Sequence, residues 1–100
     1  MVKINWTRQA IEDVHAASEY YRGISAKYAD TLIDKIFEKA ALLENHPKMG
    51  RKVPQFDKEN IRELIYKQYH IIYYIVSSQQ IDIIAVHYGS KPLSADSIFE

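Results

Sequence analysis

The stretch Tyr66–Tyr88, YKQYHIIYYIVSSQQIDIIAVHY, carries five of the chain's eight tyrosines and decides how the rest is read. Within it YHIIYYIV is apolar at odd and even positions alike, the pattern of a strand covered on both faces. SSQQ turns the chain, and IDIIAVHY returns as the second arm of a hairpin that ends on His87 and Tyr88. Upstream, IRELIY alternates Ile61, Glu63 and Ile65 with Arg62, Leu64 and Tyr66, a third strand. RKVPQFDKEN before it reads as a loop, because Pro54 cannot donate to a sheet ladder and excludes a central strand.

Further towards the N-terminus the apolar spacing changes from two to three and four. Ala29, Leu32, Ile33, Ile36, Phe37, Ala40 and Leu43 form one stripe down a helix opened by Ser25, with a charged opposite side. Pro47 and Gly50 stop it. RQAIEDVHAASEYYR is a preceding helix, with Thr7 as its N-cap, Ala10, Ile11, Val14, Ala17 and Tyr21 as its apolar positions and Gly23 at its end. The short link makes the two a helical hairpin. VKINW alternates Val2, Ile4 and Trp6 against Lys3 and Asn5, an opening strand. The order β-α-α-β-β-β predicts an α+β fold, a helical hairpin on a small antiparallel sheet, as one domain spanning 1–100.

Composition narrows the function. The 13 basic and 13 acidic side chains cancel, which argues against a domain whose main work is gripping a phosphate backbone. With no cysteine there is no disulfide, thiolate nucleophile or cysteine-held metal. MVKINWTRQ has no apolar core of a signal peptide, and no run reaches the roughly 20 apolar residues of a membrane span. The expectation is a cytoplasmic protein without membrane contact. No glycine-rich phosphate loop supports a nucleotide cofactor. Glu12, His15 and Glu19 share a helix face, but a carboxylate-bridged metal site needs a second such motif on a facing helix, and none is present. Neither cofactor nor metal is expected.

Several segments in order, VKINWT, AIEDVHAASEYY, LLENHPKMGRKVP, NIRELIYKQYHIIYYIV and IDIIAVHYGSKPL, give nearly the whole chain a resemblance to the RelE/ParE superfamily of bacterial toxins from type II toxin–antitoxin modules. The resemblance implies a toxin neutralised by a cognate antitoxin whose C-terminal segment wraps it. RelE-like members cleave messenger RNA at the ribosome with a basic residue set; ParE-like members poison DNA gyrase and lack that set.

Three candidates for RNA cleavage follow. His87 could act as general base, and His87 or Tyr88 as the acid for the leaving oxygen. As neighbours on a strand they point to opposite faces, so at most one lines a substrate face. Otherwise Tyr88 continues an inward row with Ile84 and Val86. Arg62 matches the arginine of the superfamily's I-R-E motif and would hold phosphate bidentately, or else pair with a carboxylate. Arg51 and Lys52 are further phosphate candidates, or simply exposed loop charge. Against cleavage, His70 and Lys91 stand where the superfamily usually has arginine, and Pro92 where it often has an acidic residue. Lysine lacks the planar fork, and histidine is mostly neutral at pH 7. These departures, the zero net charge and two long helices favour the ParE-like branch, a gyrase inhibitor and not an enzyme. The alternative is a RelE-like ribosome-dependent endoribonuclease. Tyr20, Tyr21 and Tyr28, with Ala16 and Ala17, suggest a second covered surface on the first helix for a partner's segment.

Overall fold

The computed structural model describes residues 1–89. Lys91, Pro92 and the C-terminal tail lie outside them. Both helices begin where a hydroxyl can take an orphan amide. Thr7 Oγ1 accepts from Ala10 N at 3.2 Å and opens α1, Arg8–Arg22; Ser25 Oγ accepts from Tyr28 N at 3.2 Å and opens α2, Ala26–Ala41. A 3-10 turn, Leu42–Glu44, continues α2. Gly23 ends α1 in a right-handed conformation, φ −66°, so the break does not depend on a left-handed glycine. Of the α2 stripe Ala29, Leu32, Ile36, Ala40 and Leu43 are buried and Ile33 partly so, whereas Phe37 is exposed at its edge, its ring 4.4 Å from that of Trp6 between centroids. On α1 the inward face differs: Ile11 is exposed, and Ser18 is buried instead. Ser18 can be buried because its hydroxyl donates to the His15 carbonyl one turn back, at 3.0 Å.

The sheet has five strands: β1 Lys3–Trp6, β2 Arg51–Lys52, β3 Ile61–Tyr66, β4 Tyr69–Ser77 and β5 Gln80–Tyr88, in the spatial order β1-β5-β4-β3-β2. Two details depart from the reading of the sequence. β1 pairs parallel to β5, with Ile4 beside Ile81 and Trp6 beside Ile83, while every other pairing is antiparallel. The supposed loop begins with a short edge strand, Arg51 opposite Glu63 and Lys52 opposite Arg62, which Pro54 keeps from extending.

Helices cover one face. Leu32, Ile36 and Leu43 pack there on Leu64, Ile71 and Ile83. A smaller cluster of Val53, Ile61, Ile72, Ile84 and Ala85, with Phe56 against it, lies on the other face. β4 is covered on both sides at Ile71, Ile72 and Tyr73, whereas Tyr74 and Val76 further along it are exposed. A bulge separates the two clusters on β5: Ile72 pairs with Ala85 and Tyr73 with Ile83, leaving Ile84 without a register partner. That extra residue changes the parity of the strand. Ile81 and Ile83 therefore share the helix-covered face with Val86, whereas Ile84 belongs to the opposite cluster. Among the described residues no helix is long and apolar enough to cross a membrane.

Candidate functional site

Parity decides where the His87–Tyr88 pair points. Tyr88 stands on the helix-side face with Val86, its ring edge-on to Tyr69 at 5.3 Å and its hydroxyl donating to Gln68 Oε1. Ile84, expected in the same row, is on the other face because of the bulge. His87 sits opposite His70 in the β4–β5 ladder, on the face away from the helices. The two consecutive residues thus serve different surfaces.

Arg62 is not with either of them. Two strands across and further down the ladder, it lies roughly 15 Å from the end of β5. Its guanidinium donates to the Gly50 carbonyl at 2.9 Å, to the Glu59 carbonyl at 3.1 Å and to Glu59 Oε1 at 2.8 Å. With its side chain only 12% exposed, this is a clamp on the loop after α2. Glu59 is shared with Lys52 at 3.4 Å, and the hydrogen bond from Lys52, then the charges of Lys52 and Arg62, hold its carboxyl below the usual range. Tyr73 completes the clamp: its hydroxyl donates to Pro47 O at 2.8 Å and accepts from Gly50 N at 3.0 Å. Burial pushes the Tyr73 phenol up against the opposing effects of Gly50 and Arg62.

What the fold does bring together is centred on a residue that carried no role in the sequence. Glu63, 4% exposed, accepts from Arg51 Nε at 2.7 Å and lies 3.1 Å from His70 Nδ1. His87 is the cross-strand neighbour of His70. Arg51 and His70 meet at Glu63, and His87 lies on the same face beside His70. The one available signal was a glutamate placed between Ile61 and Ile65 in an alternating strand, where an apolar residue belongs. On α1, Glu12, His15 and Glu19 are exposed, with Glu19 paired to Arg22. Among the described residues no three histidine or carboxylate side chains are placed to hold a metal ion.

The opposite face carries a groove of about 450 Å³ between α1 and the end of β5. Ala16 and Ala17 leave room on the helix, and Tyr20, Tyr21, Tyr69 and Tyr88 surround it. Tyr20 is 71% exposed and stacks edge-on to Tyr21, which contacts Tyr28 in turn. Burial, then the hydrogen bond with Tyr21, pushes the Tyr69 phenol well above its ordinary value. Asp13 closes one end of the groove: Oδ2 accepts from Val86 N at 2.9 Å and Oδ1 from Gln9 Nε2 at 2.8 Å. The sequence pointed to this surface through Ala16, Ala17 and the tyrosines, but not to Asp13 or the β5 side.

Residues 4–92 match the family described as ParE toxin of type II toxin-antitoxin system, parDE. The chain belongs to this family. The ParE match spans the opening strand, both helices and the whole sheet, so every surface described above lies within it. Among solved structures the fold is similar to a chain from a chromosomal ParDE TA system of P. aeruginosa, with a TM-score of 0.74 and 20% identity over 90% of this chain and 98% of that one. No curated protein matches the sequence. For this ParE-family chain the comparison fixes the fold, two helices on a five-stranded sheet, and the resemblance read from the sequence holds.

Proposed function

We propose that this ParE-family chain is a toxin that inhibits DNA gyrase as a binding partner, and that a cognate antitoxin silences it by covering the groove between α1 and β5. The family match over residues 4–92 carries the reading. The geometry supports it: Arg62 is engaged by backbone carbonyls and Glu59, and His87 and Tyr88 point to different faces. An acid, a base and a phosphate clamp around one scissile bond would have to lie within hydrogen-bond reach of a common point. The groove supports the antitoxin half of the proposal, because an exposed aromatic-lined recess beside small residues suits a partner's apolar segment.

The test is a supercoiling assay with purified protein, gyrase and relaxed plasmid, beside a translating extract that reports mRNA cleavage. Inhibited supercoiling or trapped cleaved DNA with intact mRNA is expected. Cut mRNA with unaffected gyrase would replace the proposal by the second reading, a ribosome-dependent endoribonuclease. One observation favours that reading: Arg51, Glu63, His70 and His87 share a face. Arg51→Ala and His87→Ala would then abolish cleavage, and Arg62→Ala would act mainly through stability.

A further inference from the structure

Strand pairing sets two of the chain's four histidines side by side. Gly89 N donates to Gln68 O, a hydrogen-bonded pair at the end of the β4–β5 ladder. Such pairs recur at every second residue, so His70 and His87 form the next one. Their Cα atoms are then about 5.5 Å apart, with both side chains on the face away from the helices. Both rings are half-buried, so solvent reaches them. Glu63 orients the first. Its carboxylate takes a charge-assisted hydrogen bond from Arg51 Nε at 2.7 Å and lies 3.1 Å from His70 Nδ1. A carboxylate paired with arginine only accepts, so Nδ1 carries the proton and the lone pair of the neutral ring is on Nε2. The two nitrogens of an imidazole face different ways. With Nδ1 aimed at Glu63 on β3, Nε2 faces away from β3, the side of β4 on which His87 stands.

We infer that His70 and His87 together bind a divalent ion of the zinc class across β4 and β5. Zinc–imidazole bonds are about 2.0–2.1 Å long, so two rings on one tetrahedral ion bring their nitrogens to roughly 3.3 Å. Side chains of this length on a directly opposed cross-strand pair close that span. Glu63 supplies what a metal-bound histidine ordinarily has, a carboxylate on the other ring nitrogen, which fixes the tautomer and raises the basicity of the ligand. Two protein ligands leave the remaining positions to water, so the site is an open one. With neither thiolate nor carboxylate bound directly, imidazole donors select zinc, nickel or copper over magnesium or calcium. One nitrogen of each ring is used, and the other keeps its contacts within the protein, as His70 Nδ1 keeps Glu63. On α1, by contrast, His15 faces solvent and Glu19 is drawn to Arg22. The ion sits on the sheet face opposite the α1–β5 groove, so the site is independent of how an antitoxin or gyrase is bound.

The experiment titrates the full chain with zinc ion alone, followed by calorimetry and by proton–nitrogen spectra of the histidine rings. The ring nitrogens of His70 and His87 are expected to shift together, with those of His15 and His46 unmoved. His70→Gln and His87→Gln are each expected to weaken binding at least about tenfold. Glu63→Gln leaves both ligands in place and is expected to weaken binding about ten- to a hundredfold. Circular dichroism shows whether each variant is folded. Magnesium at the same concentration is expected to leave all four rings unmoved. No zinc binding by the unaltered chain overturns the inference, as does a shift confined to His15 or His46. Binding that survives the two histidine changes combined overturns it too, and so does magnesium acting like zinc. A folded Glu63→Gln that binds as tightly as the unaltered chain overturns the orienting role of Glu63. If that variant does not fold, the ring spectra of the unaltered chain still decide whether the two histidines are the ligands.

Discussion

Gly50 lies against β3 and β4, which leave no room for a side chain. A Cβ there would sit 2.6 Å from the Glu63 carbonyl and 2.7 Å from the Tyr73 hydroxyl, so the glycine is required by close approach and not by its backbone angles. Gly50→Ala is expected to destabilise the protein by about 1–3 kcal/mol in urea unfolding. Tyr73→Phe removes the hydroxyl that serves Pro47 O and Gly50 N, stranding both, at a cost of about 1–3 kcal/mol by the same measurement. The tyrosines also set an alkaline limit. Tyr69 and Tyr73 hold their protons more tightly when folded than at the ordinary value of 10.0, so the unfolded chain loses protons first as pH rises. Their contribution is complete below about pH 10 and declines above it. Thermal midpoints measured across that range should fall, and Tyr69→Phe should flatten the decline; an unchanged slope would mean that Tyr69 titrates freely.

The elements show which physics was legible. Thr7 and Ser25 could be read as caps because an N-cap is a local event, settled by a hydroxyl and an amide three residues on. Thr7 adds a bond that no local pattern reveals, donating from Oγ1 to Ile83 O at 2.8 Å and so tying the start of α1 to β5. Thr7→Ala should therefore cost about 1–2 kcal/mol in urea unfolding, with Thr7→Ser recovering most of it. The α2 stripe and the β4–β5 hairpin were legible for the same local reason. Three features were not. The parallel pairing of β1 with β5 joins residues from the two ends of the chain, and nothing in VKINW names its neighbour. The parity change at Ile84 is invisible where β5 is apolar at consecutive positions. The burial of Glu63 depends on Arg51 and His70, which arrive from two other strands. Of the candidate residues, sequence named Arg51, His70 and His87 separately, and only the strand order could place them side by side.

At the scale of the molecule, the two faces of the sheet separate the two functional readings. His87→Ala with Tyr88→Phe alters one residue on each face while retaining the Tyr88 ring and amide. Growth arrest on expression should persist in that double variant if the protein acts by binding gyrase. Loss of arrest with antitoxin binding preserved would assign the toxicity to acid–base chemistry. The strand order carries one more consequence, for synthesis. Among the described residues β5 is the last strand to be made, yet it stands between β1, the first, and β4. Until the ribosome has added residues 80–88, β1 has no ladder to join and the apolar stripe of α2 faces an incomplete floor. A nascent chain of this topology cannot complete this sheet in stages; it does so only once residues 80–88 are available. Whatever the folded surface binds, the chain can present that surface only after β5 has emerged and joined β1 to β4.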